Sequence, residues 1–451
     1  MEKRQKAMRI GALTLGLGAV ISKILGAIYR IPLVSIIGGE GVGIYQLVFP
    51  VYTVLLDFAG AAFPSAISKL VAGFKGKDAD KNAYSLFKSA LTLCSTLGAI
   101  ASLIMIIFAR PIAVAQGDSR AMLSYVFLAP AVFFVSLISC YRGYFQGLMN
   151  MKPTAKSQVI EQGVKLILGL TFAKIFMPNL PLSAGGATLA VTLSEVVAFL
   201  YLYSVFKRGK SALWLKVKKS ENKKNFITII KYAVPITLIG VAIPISQVAD
   251  SFLMVNIIGK YRGDATALYG LLSGAAMTII SLPVSACYGI SASVIPSASG
   301  ESEESKGKSA KSALLITLAI SLPSTILVYF LAPFIVRVLF KSLSSFQMET
   351  TVKLIKMLSP SILFLSIVQT SNGGLIGGGK VYLPLISLGV GITAKIIINL
   401  ILLKNPTFNV FGGAIAINAC YFFTCLVNLI MLITSGVKYE SRKVKGWQFA
   451  N

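Results

Sequence analysis

Apolar residues run along this chain in long blocks, separated by short polar connections that are often basic. Twelve such blocks fall at roughly 10–37, 43–72, 84–109, 119–147, 154–177, 183–206, 226–258, 266–297, 310–340, 350–376, 381–403 and 410–435. At ~1.5 Å per residue each is long enough to cross a hydrocarbon core of about 30 Å. The pattern therefore predicts an all-α polytopic membrane protein with about twelve transmembrane helices. The first block, from Ile10 to Ile37, carries Lys23 and Arg30 inside it. Seven residues apart, they share one helical face about 10 Å from each other. A charge at the bilayer centre costs at least ~2.5 to 3.5 kcal/mol, so two on one stripe predict a polar cavity or a partner.

Composition agrees with the pattern. Of 451 residues, 55% are hydrophobic and 13% charged, and the mean hydropathy of +0.77 lies far outside the range of a soluble domain. The first block is too long for the core of a signal peptide and no small-residue cleavage site ends it, so it is read as a span. The formal net charge of +27 points to topology rather than to nucleic acid, because the Lys and Arg residues cluster in loops between apolar blocks. With the N-terminal MEKRQK in the cytoplasm, most loop cations lie on that side, and both termini are cytoplasmic. Cys94, Cys140, Cys287, Cys420 and Cys425 lie within or beside apolar stretches without metal-ligand spacing and read as reduced packing residues. The chain has no histidine, which excludes His-based catalysis, a His metal site and a His proton relay. The stretch SEESKGKS at 302–309 lacks the first glycine and the strand-to-helix setting of a phosphate-cradling loop. Nothing in the sequence suggests an enzyme or a cofactor.

The longest basic connection, Lys207 to Asn225, divides the chain into an N-terminal six-helix lobe (1–206), a cytoplasmic linker (207–225) and a C-terminal six-helix lobe with a basic tail (226–451). The two lobes read as repeats. Val34-Ser35-Ile36-Ile37-Gly38 parallels Val255-Asn256-Ile257-Ile258-Gly259, and Tyr45 parallels Tyr269. The Pro50-Val51 and Pro64-Ser65-Ala66 pair parallels Pro283-Val284 and Pro296-Ser297-Ala298. Lys165 and Lys174 parallel Lys395 and Lys404, and Gly185-Gly186-Ala187 parallels Gly412-Gly413-Ala414. Six spans restore the starting side, so the repeats are parallel, about an axis along the membrane normal, where transporter sites form.

Charges inside the blocks give the candidate site. Asp57 lies near the middle of the second block and Asp250 in the seventh, at almost the depth of Arg30. Lys23, Arg30, Asp57 and Asp250 are expected to line a central cavity among spans one, two, seven and eight, the carboxylates gating or coupling; the alternative is a set of structural ion pairs with Arg30 snorkelling. A second set, Glu161, Lys165, Glu195 and Lys395, reads as structural, with Glu161 and Lys165 spaced for an i, i+4 pair. Prolines 50, 64, 130, 235, 244, 283 and 360 interrupt spans, as hinges or static kinks.

The segment Cys140 to Gln162, with Arg142-Gly143, Gln146-Gly147, Pro153, Gln158 and Glu161, resembles the fourth-to-fifth span junction of the multidrug/oligosaccharidyl-lipid/polysaccharide flippase superfamily. It is most similar to the polysaccharide biosynthesis branch that includes stage V sporulation protein B and the MurJ-type lipid II flippases. Ser22-Lys23-Ile24-Leu25-Gly26 and the Gly-Gly-Ala starts of both sixth spans fit as well. The resemblance implies a two-lobed transporter in the bacterial plasma membrane. It would move a polyprenyl-diphosphate-linked saccharide, such as a peptidoglycan precursor, from inner to outer leaflet by alternating access. Lys23 and Arg30 would be the diphosphate ligands, and cell-wall synthesis enzymes the candidate partners. Relatives of the lipid II type place arginines on the first, second and eighth spans and commonly have fourteen spans. Here spans two and eight have no arginine at that depth. A cation-coupled multidrug exporter of the same fold is the alternative, and the sign of the cavity separates the two. A lipid scramblase or a structural subunit would need no charged cavity.

Overall fold

A computed structural model describes residues 2–74, 76, 79–209, 219–285, 287, 303–377, 380 and 382–436, and among these every regular element is helical. The first element, α1, runs Glu2–Leu56 but is broken at Gly38, whose φ of 65° is the left-handed region that glycine enters without a Cβ clash. Blocks one and two are therefore joined by a kink rather than by a loop. A π-turn at Asp57–Ala61 leads into α2 (Phe63–Gly73), which has Pro64 in its first turn, where no donor is needed. Then come α3 (Ala79–Ile107), the short α4 (Ala109–Ala115), α5 (Met122–Gly147), α6 (Lys152–Ile175) and α7 (Leu180–Arg208). The side chain of Asn179 caps α7 by accepting from the Leu182 N–H.

Block seven is a bent pair, α8 (Lys219–Gly240) and α9 (Ala242–Ile258), meeting at 47°. Pro235 and Pro244 flank the break and remove backbone donors around it. Next, α10 (Ala265–Gly270) passes into a π-turn, Leu271–Ala276, and on as helix to Ser285. After α11 (Glu303–Leu339), α12 (Ser345–Leu358) and α13 (Pro360–Gly377) form a second bent pair, at 43°, with Pro360 opening the second member. The chain closes with α14 (Leu383–Leu402) and α15 (Asn409–Gly436).

Among the described residues eight helices are long and apolar enough to cross a membrane, ten if each bent pair is one span. Two further crossings of the twelve-helix pattern escape that test for physical reasons. The Gly38 kink merges two blocks into one 50-residue unit, Ile24–Gly73. Helix α6 carries charge along its whole length, at Lys152, Lys156, Glu161, Lys165 and Lys174. Large apolar side chains such as Leu315, Ile316, Phe330 and Phe334 on α11 point outward, as expected of a face that meets lipid.

The two halves meet where α1 crosses α10. Ile44, Leu47 and Val48 of α1 share one buried core with Leu268, Leu271 and Leu272. The backbones are in contact there: a Cβ on Gly43 would collide with the Thr266 carbonyl, and one on Gly270 with Gly39 and Gly43. Small residues at a helix crossing permit this approach in a membrane, where packing rather than the hydrophobic effect joins helices. Polar bonds between the halves collect near this crossing. Thr266 donates to Asp118 (2.8 Å), Gln116 to the Ser251 hydroxyl (2.9 Å), Asn256 to the Ala115 carbonyl (2.8 Å) and Gln46 to the Ser273 carbonyl (3.1 Å). That face of the molecule is sealed. Toward the opposite face, α8 packs on α2 and α3, with Asn225 donating to Ser89 (3.1 Å) and Lys69 lying over the Tyr232 ring.

Candidate functional site

Beside the sealed crossing lies a cavity of about 320 Å³ between the halves, bordered by α1, α9, the α10 segment, α14 and α15. Arg30, Thr53, Gln247, Asp250, Lys395 and Tyr421 are among its lining residues. Arg30 is exposed into it and, among the described residues, forms no ion pair. Pro50, also on the wall, interrupts the hydrogen bonding of α1 one turn from Gln46. On the other wall Lys395 Nζ meets Asp250 Oδ2 at 2.6 Å, with side-chain exposures of 7% and 13%. Asn399, one turn after Lys395, donates to Asp250 Oδ1 at 3.0 Å, and Lys395 also reaches the Ser246 carbonyl at 3.5 Å.

The sequence repeat gives this cluster a counterpart. Aligning Val34 with Val255 places Tyr29 opposite Asp250 and Arg30 opposite Ser251, and aligning Lys165 with Lys395 places Gly169 opposite Asn399. In the N-terminal half, Lys165 Nζ lies 5.5 Å from the centre of the Tyr29 ring, and Gly169 lies flat against the same ring. One helix–helix contact is thus built twice: once as cation over ring, once as an ion pair.

A second charged cluster lies wholly in the N-terminal half. Arg142 of α5 meets Glu161 of α6 at 2.9 Å, donates to the Ser157 hydroxyl (3.0 Å), and leaves Glu161 a further bond from Gln162 (2.8 Å). Glu195 of α7 is buried, and its Oε2 has no hydrogen-bond partner among the described residues.

Several sequence-based expectations change. Asp57 does not line the cavity. It opens the π-turn after α1, where α8 packs against the turn, and faces Gly240 at the α8–α9 bend. Glu161 pairs with Arg142 across helices rather than with Lys165 along its own, because Lys165 turns toward Tyr29. Lys395 leaves the structural set, since α14 brings it to Asp250 in the cavity. The side chain of Lys23 lies outside the described residues. Asn399 and Gln116 escape sequence reasoning; for Asn399 the available signal is its spacing one turn after an intramembrane lysine.

Fold and site together define a two-lobed, polytopic membrane protein of transporter architecture, with a largely apolar cavity carrying three charged residues between parallel helical repeats. A family model described as "Polysaccharide biosynthesis protein" matches residues 9–300, and a second, "MatE", matches 235–401. The chain belongs to the polysaccharide biosynthesis protein family, within the multidrug/oligosaccharidyl-lipid/polysaccharide flippase superfamily. It is 30% identical over 307 residues to Stage V sporulation protein B of Bacillus subtilis (strain 168), a match covering 66% of this chain and 59% of that one. It is 25% identical over 452 residues to Lipid II flippase MurJ of the same organism, covering 94% and 82%. Among solved structures, an inward-facing multidrug resistance MATE family transporter of the MOP superfamily superposes with a TM-score of 0.74 at 15% identity, covering 92% of this chain and 94% of that one. The inward closed conformation of Lipid II flippase MurJ gives 0.73 at 17%, covering 94% and 89%.

Proposed function

We propose that this chain is a flippase that moves a polyprenyl-diphosphate-linked saccharide, of which a peptidoglycan precursor is one, from the inner to the outer leaflet by alternating access. The observation that carries the reading is Arg30, an arginine with no carboxylate partner among the described residues, facing a cavity between the halves. Its charged lining is two cations, Arg30 and Lys395, against one carboxylate, Asp250, so the cavity is net positive. A guanidinium is suited to phosphate oxygens, and in a poorly solvated cavity such bonds are strong. A cationic drug would need the opposite sign, which disfavours the exporter alternative. At about 320 Å³ the cavity is at the small end of ligand sites, ~300 to 1,000 Å³, so the saccharide enters only as the halves part.

In this reading 1–206 and 226–451 are the moving lobes joined by the 207–225 linker, both termini are cytoplasmic, and the sealed crossing is the outer gate. Lys23 and Arg30 hold the diphosphate, Asp250 sets the charge of the C-terminal wall, and Asp57, beside the α8–α9 bend, is the gating carboxylate. The inside-negative potential favours outward movement of an anion by roughly 2.3 kcal/mol per charge per 100 mV. The protein acts as a carrier rather than as an enzyme, and its partners are the lipid-linked saccharide, the bilayer and the wall-synthesis enzymes that consume the product. Depletion is expected to raise lipid-linked precursors in the cell. Arg30→Ala is expected to leave them raised, and Arg30→Lys to restore part of the flux. Full rescue by Arg30→Ala together with Lys23→Ala, with no precursor build-up, refutes the proposal.

A further inference from the structure

Resting on that reading, we infer that Asp250 is a resident stand-in for the substrate's phosphate. In the empty carrier its carboxylate occupies Lys395. An incoming diphosphate takes Lys395 over and so links a cation of each half, Arg30 and Lys395, through one ligand.

Four observations carry this. Lys395 and Asp250 both line the cavity that Arg30 faces, so a ligand on Arg30 shares its space with the pair. The pair is not saturated: an ammonium has three donors and Lys395 uses two, on Asp250 and on the Ser246 carbonyl at 3.5 Å. Asp250 is held by a second donor, Asn399, which keeps the carboxylate on the α14 side when its ammonium turns to a ligand. Finally, the N-terminal half makes the equivalent helix contact with a ring, Tyr29, at the position of Asp250, against Lys165 and Gly169; the carboxylates near Lys165 there, Glu161 and Glu195, belong to α6 and α7. An acid at the Asp250 position is therefore not needed to pack these helices; it stands there only in the half whose lysine lines the cavity.

The physical logic is charge exchange. An ammonium left bare in a poorly solvated wall is costly, and it would also hold a phosphate too tightly to release it. With Asp250 in place the empty carrier presents a neutral C-terminal wall. The loaded carrier presents a cation on each side of a ligand bearing at least two charges. Binding then draws the halves together, release restores the internal pair, and a ligand with one phosphate gains less than a diphosphate because it cannot serve both cations.

The test uses the full chain in detergent, with farnesyl diphosphate and farnesyl monophosphate as probes and binding read by calorimetry. Asp250→Asn is expected to tighten diphosphate binding about tenfold and Lys395→Gln to weaken it about tenfold, the scale of one charged hydrogen bond gained or lost. On a Lys395→Gln background the Asp250→Asn gain should vanish, and the preference for diphosphate over monophosphate should shrink. A merely structural pair predicts lowered unfolding temperatures for both variants and no gain in affinity. Asn399→Ala tests the exchange without removing the charge, and serves if Asp250→Asn does not fold: with its second donor gone the carboxylate holds Lys395 harder, so diphosphate binding should weaken, and the weakening should vanish on the Lys395→Gln background. Loss of binding in Arg30→Ala with neither a gain in Asp250→Asn nor a loss in Asn399→Ala overturns this inference and leaves the flippase reading standing. Absence of diphosphate binding to the wild type, or binding indifferent to Arg30→Ala, overturns the flippase reading itself.

Discussion

Replacing Gly43 by alanine tests whether the α1–α10 crossing is a gate or merely a static contact. The added Cβ would lie 2.7 Å from the Thr266 carbonyl carbon and 2.8 Å from its Cγ2, with the carbonyl oxygen nearer still, whereas ordinary contact begins at 3.4 Å. Backbone cannot rotate aside as a side chain can, so α1 and α10 must part by roughly 1 Å, and overpacking of this kind costs about 1 to 3 kcal/mol. The cost falls only on the conformer in which the halves touch at this face. Alanine's better helix propensity, ~1 kcal/mol, is shared by both conformers and cancels. At 1.4 kcal/mol per factor of ten, the equilibrium should move about 5- to 150-fold toward opening. Ser251 is a suitable reporter, because it is buried at this face beneath Gln116, and all five native cysteines are buried. Maleimide labelling of Ser251→Cys should accelerate by that factor when Gly43→Ala is added. Gly163→Ala, where a Cβ meets nothing within 4 Å, should leave the rate unchanged. An unaltered rate in a folded Gly43→Ala protein means that the crossing does not separate, and the gate is lost from the mechanism.

Two further outcomes follow from the charged contacts away from the cavity. The Arg142–Glu161 pair, with side-chain exposures of 15% and 16%, is mostly out of water, so Arg142→Ala should destabilise the N-terminal half by ~3 kcal/mol. A clear fall in unfolding temperature in detergent, partly recovered in Arg142→Ala with Glu161→Gln, is the expected reading. Asp118 is raised by burial, but bonds from Arg120 (2.9 and 2.7 Å) and Thr266 (2.8 Å), with the Arg120 charge, outweigh this and leave its carboxyl below the usual range. A lowered folded value contributes stability that is present above the unfolded pKa of about 3.9 and is lost as pH falls through the folded one. Labelling of Ser251→Cys, taken relative to free cysteine at the same pH because the thiolate fraction itself falls with pH, should therefore be flat from pH 7 to pH 5, whereas Asp118→Asn should raise it at pH 7; a relative rise between pH 7 and pH 5 that Asp118→Asn abolishes would contradict the assignment.

The helices were legible because a membrane span must be long and apolar, and each block coincides with helix wherever the chain is described. Breaks within spans were less so. Proline marks Val241 and Ser359 as bends, but Gly38 opens a kink only because its neighbours continue as helix on both sides, which no local pattern states. Arg30 and Asp250 were legible as intramembrane charges at matching depth. Their partners were not, because periodicity gives the face of a helix and not the helix it meets. Glu161 finds Arg142 on α5, Asp250 finds Lys395 on α14, and Asp57 finds Gly240 at the α8–α9 bend. The crossing glycines, in GGEGVG and LYGLLSG, were not legible in the sequence, because their pairing depends on the two halves facing each other.

That pairing also explains where the polarity of the cavity comes from. The repeats supply the same helices at the same depth, each with a lysine on its second-last span, so a symmetric chain would give both walls one sign. On the first span of each repeat the departure that sets the sign falls at two adjacent positions, Tyr29-Arg30 in one half and Asp250-Ser251 in the other, and is matched on the facing helix by Gly169 against Asn399. In the N-terminal half the tyrosine ring takes up the lysine and leaves the arginine to the cavity; in the C-terminal half the aspartate takes up the lysine, and the serine joins the sealed face through Gln116. Two Asp-Ser copies would leave no unpaired arginine and a wall fit at most for a cation. Two Tyr-Arg copies would fix a phosphate from both sides with nothing to displace it. One of each gives a cation that waits for the anion and a second that is released only when the anion arrives, which is what a carrier that must load, cross and return empty requires.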